Sequence, residues 1–298
     1  MLLGAGVALL TSLAWAISSI ILKFLTDSID TLTINTFRMW VGALLLAAIL
    51  WVTGKQTMLH AIGPQAMSYV ILSGILAMAI GDTLYIKCLA LLDASMAFPI
   101  SQCAFVVLAS LAAILLLNEP FTWVTMAGGL LVVYGIYLIV SVEEKVSGPN
   151  TPPNRADKKG VAIALLSAVI WTASTVALKA GAEGIDPILV AAIRISVSAV
   201  VLSIVALPQR RKRFTVIKAQ GLRGISLIAA AGVSTYGVAA VGYVSALQMI
   251  GAGKTVLLTT SAPLFALPFS IVILRERPTR STIWGILVSV AGVCLVVL

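Results

Sequence analysis

Charge is what this sequence has least of. Only 10% of its residues are Asp, Glu, Lys or Arg, against roughly 25% in an ordinary soluble domain, and a water-facing surface cannot be built from so few. Histidine occurs once, as His60, in a loop, and the three cysteines, Cys88, Cys103 and Cys294, stand singly in apolar segments with no C-x-x-C spacing. That speaks against a disulfide framework and against a zinc site. The ten-residue alternating segments of a β-barrel are absent. So is a nucleophile, metal cluster or pair of deep acids of the kind a membrane-embedded enzyme needs. The net charge of +9 does not point to nucleic acid, because no element remains to build a reading head. Gly253, Lys254 and Thr255 end like a phosphate-binding loop, but Gln248 stands where its first glycine is required, and apolar helix replaces the preceding strand. No cofactor and no metal are expected.

What is present is apolar. Hydrophobic residues make up 60% of the 298 and the mean hydropathy is +1.09, so lipid is the solvent for most side chains. At about 20 residues per span, the length accommodates roughly ten helices. Apolar runs predict them near 3–25, 32–53, 67–90, 94–117, 121–141, 160–181, 187–207, 224–247, 252–273 and 280–298. The first run lacks a basic leader and reads as a retained helix rather than a signal peptide. The long polar stretch 143–159 holds Pro149, Pro152 and Pro153 and is a linker. A lipid bilayer is the expected environment.

The chain repeats. Gly4, Trp15, Lys23, Asp30 and Arg38 each meet an identical residue 156 positions on, at Gly160, Trp171, Lys179, Asp186 and Arg194. Farther along the offset becomes 158, matching Gly74 with Gly232 and Tyr85 with Tyr243, and then 157, matching Glu119 with Glu276, Gly128 with Gly285 and Gly135 with Gly292. The halves are therefore 1–142 and 160–298. Each holds an odd number of spans, so the second enters the membrane from the opposite side and the fold is an inverted repeat. Alternating access needs such a pair of near-equivalent packings; a scaffold does not.

Trp15, Lys23 and Arg38, repeated as Trp171, Lys179 and Arg194, resemble the opening of the repeat in the EamA family of the drug/metabolite transporter superfamily. Asn118-Glu119-Pro120-Phe121-Thr122 and Arg275-Glu276-Arg277-Pro278-Thr279 are similar to that family's Glu-Arg-x-Thr turn, with Pro120 replacing the arginine in the first half. The resemblance implies an all-α membrane protein of ten helices that exports or exchanges small metabolites: amino acids or related compounds first, then nucleosides, sugars or cationic drugs. The expected partners are then a small-molecule substrate and the lipid bilayer of the cell inner membrane, with the chain a monomer or homodimer.

Several polar residues lie deep in apolar spans. Asp82 is the acid farthest from a span end, facing either a cavity or a structural partner such as Lys87. Arg38 and Arg194, about seven residues inside their spans, need pairing; Asp30 or Glu276 is expected for the first, Asp186 or Glu119 for the second. Lys23 and Lys179, nearer helix ends, either snorkel or meet an anionic substrate. Trp15 and Trp171 at mid-span, with Tyr85, Tyr236 and Tyr243, either line a cavity or pack between helices. Gln102 and Ser101 in the fourth span, and Thr259, Thr260 and Ser261 in the ninth, lie near Pro99, Pro263 and Pro268. They either frame a midplane site or bond their own helix backbone. The closing-helix glycines serve packing in the bundle or dimerisation. Basic residues gather in the odd-numbered loops, which the positive-inside rule makes cytoplasmic, leaving both termini outside.

Overall fold

The computed structural model describes residues 2–117, 123–141, 157–250, 255, 258–259, 261–276 and 278–297. Linker residues up to 156, Glu119 and Thr260 lie outside them. All the regular structure among the described residues is helical, with no strand among them. In chain order the long helices are α1 (Leu2–Thr26), α2 (Thr31–Thr53), α3 (Pro64–Leu89), α4 (Ala94–Leu117), α5 (Trp123–Ser141), α6 (Lys158–Gly181), α7 (Pro187–Ala206), α8 (Gly221–Ile250), α9 (Ala262–Phe269, continued by Ser270–Leu274) and α10 (Arg280–Val297). Among the described residues, α1, α2, α3, α6, α7 and α8 are long and apolar enough to cross a membrane, and shorter apolar helices cover Ala94–Ala109, Met126–Leu138 and Leu264–Leu274.

Helix starts follow from the sequence. Asp30 caps α2, its carboxylate accepting from the Thr33 amide at 3.1 Å. Its repeat mate Asp186 caps α7, accepting from the amides of Ile188 at 2.9 Å and Leu189 at 3.4 Å. Such a cap satisfies amides that have no partner within the helix, for about 1 kcal/mol. Pro187, in the first turn of α7, has no amide to waste there.

The repeat closes on itself through small residues at matching positions. A Cβ on Gly74 would stand 2.7 Å from the Arg194 Cα, and one on Gly232 would stand 2.5 Å from the Arg38 carbonyl oxygen. Each glycine thus lets α3 or α8 press on the arginine-bearing helix of the other half. Ser174 Oγ donates to the Ser73 carbonyl at 2.7 Å, and its mate Ser18 Oγ reaches the Ala231 carbonyl at 3.5 Å. Gly135 of α5 faces Gly285 and Ser289 of α10, while Gly292 faces Gly128 and Leu131. These two closing-helix glycines serve packing within the bundle.

The segments after α1, α3, α7 and α9 meet at one end. Arg213 pairs with Asp30. Lys23 Nζ donates to the carbonyls of Leu89 at 2.9 Å and Leu92 at 2.8 Å, closing the C-terminal end of α3, where the helix dipole favours a cation. Glu276 accepts from the amides of Ala94 at 2.8 Å and Ser95 at 3.1 Å, capping α4 from the other half. At the opposite end Lys55 pairs with Asp186 at 2.6 Å. Burial alone would raise the Asp186 pKa, but the bonds from Lys55 and the two cap amides outweigh it and hold the carboxyl below its usual range.

These contacts correct the expected pairings of Arg38 with Asp30 or Glu276 and of Arg194 with Asp186; the alternative partner of Arg194, Glu119, lies outside the described residues. Asp30 and Asp186 lie eight residues before Arg38 and Arg194, about 12 Å along a helix, and are held at the ends by Arg213 and Lys55. Glu276 is spent on the α4 amides. The deep arginines find other surroundings.

Candidate functional site

Between the halves lies a cavity of about 130 Å³, walled by α1, α2, α3, α4, α6, α7 and α8. That is room for about four waters at ~30 Å³ each, or for a small organic group of roughly the size of a benzene ring. Two pairs of aromatic rings face it at matching positions of the repeat. Trp15 lies 5.5 Å from Tyr243 between ring centroids, and Trp171 lies 5.5 Å from Tyr85.

Asp82 is the acceptor at its centre. It follows a π-helical stretch, Ile75–Gly81, in α3; such insertions shift the face a helix presents and recur at functional sites. Its Oδ2 accepts from Arg38 Nη2 at 2.9 Å and from Tyr236 hydroxyl at 2.8 Å, and its Oδ1 from Trp171 Nε1 at 3.1 Å. One carboxylate thus ties α2 and α3 of the first half to α6 and α8 of the second. Lys87 is exposed, and the acid's ionic partner is Arg38. Gly81 leaves room for the indole, since a Cβ there would meet Trp171 Cδ1 and Nε1 at 2.6 Å.

Arg38 is only 2% exposed and well supplied. Its Nε donates to Asn35 Oδ1 at 2.9 Å, and its guanidinium lies 4.9 Å from the centre of the Tyr236 ring. Asn35 in turn donates to the Met78 carbonyl at 3.0 Å and to Thr83 Oγ1 at 2.7 Å. Buried charge is tolerable only with such satisfaction. Asn35 escaped the sequence reading because a single amide in an apolar helix carries no spacing signal, and Ser174 escaped for the same reason.

Of the residues marked from sequence, Trp15, Asp82, Tyr85, Gln102, Trp171, Tyr236 and Tyr243 line the cavity, together with Arg38 and Arg194. Thr259 and Ser261 do not. Thr259 Oγ1 donates to the Thr255 carbonyl at 2.9 Å, Ser261 Oγ to the Leu258 carbonyl at 2.7 Å, and Ser12 of α1 bridges to both. Short hydroxyl side chains bond backbone one turn away, and these two serve packing of that segment on α1. Lys23 and Glu276 sit at helix ends, and Lys179 in the last turn of α6, outside the cavity wall.

The sequence pattern described as the EamA-like transporter family matches residues 2–141 and again residues 158–298. No curated relative matches the chain. A solved structure titled "Crystal structure of protein" is similar with a TM-score of 0.63 at 18% identity, covering 98% of this chain and 94% of that one. At that identity the likeness concerns the fold alone.

Proposed function

Since this chain belongs to the EamA-like transporter family, matching it twice over nearly its full length, we propose that it is a secondary transporter that exports small organic metabolites across the cell inner membrane by alternating access. Amino acids or related compounds are the proposed substrates, and ten spans the proposed membrane topology. The observation that carries the reading is the central cavity. It is enclosed by helices of both repeats, walled by repeat-related indole and phenol rings, and crossed by a hydrogen-bond network at Asp82. A site shared between two inverted halves opens to one side or the other as the halves rock. The Asp82 bonds, spanning both halves, belong to one of the two packings and are remade in the other.

Purified protein in liposomes preloaded with an amino acid is the test. Uptake of the labelled amino acid against an unlabelled internal pool, absent from protein-free liposomes, is the expected result. No movement of any amino acid, nucleoside, sugar or cationic dye would overturn the transporter reading.

A further inference from the structure

The two halves share a frame but not its polar furniture. Applying the repeat offsets, Asp82 corresponds to Ala240, Asn35 to Ala191 and Tyr236 to Met78. The residues that satisfy Arg38 are therefore missing around its mate Arg194. Arg194 is 6% exposed and lines the cavity. Its Nη2 has a long bond to Ser174 Oγ at 3.4 Å, its Nε has no partner among the described residues, and no ion pair among them involves it. Tyr243 lines the same cavity, and its buried hydroxyl likewise has no partner among the described residues. Its mate Tyr85 bonds Ser19 at 2.5 Å. Asp82 lies within electrostatic reach of Arg194 as well, but its close bonds go to Arg38, Tyr236 and Trp171. Of the charged side chains lining the cavity, two are guanidiniums and one is a carboxylate, an excess of one positive charge in low dielectric.

A buried guanidinium nitrogen and a buried phenol left unsatisfied on the lining of one cavity call for an occupant. We infer that Arg194, Tyr243 and Ser174 form the subsite for the carboxylate of the transported solute. An inorganic anion shares the charge. The planar fork of arginine matches a carboxylate in two parallel bonds, and the flanking indole and phenol rings suit an organic remainder. The second half thus borrows from its substrate the acid that the first half carries as Asp82. This assignment rests on the transporter reading and adds the chemical class to it.

Thermal unfolding of the detergent-purified protein, titrated with leucine, phenylalanine and phenylpropionate, with leucinamide and phenylalaninamide, and with chloride and phosphate, tests it. A ligand of the folded state raises the midpoint. The carboxylates should raise it and the amides of the same skeletons should not. Arg194→Gln should weaken carboxylate binding at least tenfold. Ala240→Asp, which rebuilds the missing acid, should do the same in a fold that needs no occupant. Amides acting as well as acids, no effect of any carboxylate, binding within twofold of wild type in either variant, or protection by chloride or phosphate alone would each overturn the subsite. The two readings fail separately. Liposome transport of uncharged or cationic solutes with no carboxylate binding removes the subsite and keeps the transporter, whereas carboxylate binding with no transport of any solute does the reverse.

Discussion

Arg38 and Asp82 illustrate how a membrane interior makes single residues matter. A guanidinium 2% exposed is tolerable only because a carboxylate 2.9 Å away and Asn35 satisfy it. Removing one partner of such a pair costs about 3–5 kcal/mol, while replacing both by apolar groups is often close to neutral. Asp82→Ala is therefore expected to lower the unfolding free energy of the solubilised protein by about that amount. The double variant Asp82→Ala, Arg38→Met should lose less than the sum of the two single losses. Additive losses in denaturant titrations would mean that the pair is not coupled. Asp82 itself was legible as a lone acid in an apolar run. Its partners were not, because Arg38 is 44 residues away and Tyr236 is 154 away, and nothing in a sequence ranks Arg38 above Lys87 as the nearer cation.

Among the elements, α3 and α8 carry the most information. Both contain a π-helical stretch, Ile75–Gly81 and Val233–Ala239, offset by the same 158 positions as their glycines and tyrosines. Just before each stretch sits the glycine that lets the helix touch the arginine-bearing helix of the other half. Over-packing a close contact costs about 1–3 kcal/mol. Gly74→Ala and Gly232→Ala are each expected to lose that much, and to a similar extent, because they are images of one contact. Gly129→Ala, whose Cβ would enter open space, is expected to be neutral or slightly stabilising through better helix propensity. Equal unfolding midpoints for all three variants would contradict the packing described. The glycine repeat was legible in the sequence; what each glycine presses against was not. Nor were the π turns, since one extra residue in a turn leaves apolar composition unchanged. Thr259 and Ser261, expected to face a site, lie outside the lining of the described cavity and bond backbone: hydroxyls can be satisfied by their own helix, and depth alone does not separate the two cases.

At the scale of the whole molecule, one family pattern is matched twice, with the polar groups distributed unevenly between the two repeats. The duplication and the membrane character follow from composition and from identities at fixed offsets. The unevenness was also written there, in Ala240 opposite Asp82, but it acquires meaning only once folding brings Asp82 onto Arg38. The central claim is that the cavity is the transport site and faces each side of the membrane in turn. Single cysteines at Gln102 of α4 and Thr175 of α6, both cavity-lining, can be placed in a chain with Cys88, Cys103 and Cys294 replaced by Ala. An impermeant thiol reagent is then applied to either face of sealed vesicles. Labelling of both positions from both faces is expected, with a transported solute shifting the balance between faces because it binds one packing better than the other. Labelling from one face only, unchanged by a solute that is transported, would contradict the account.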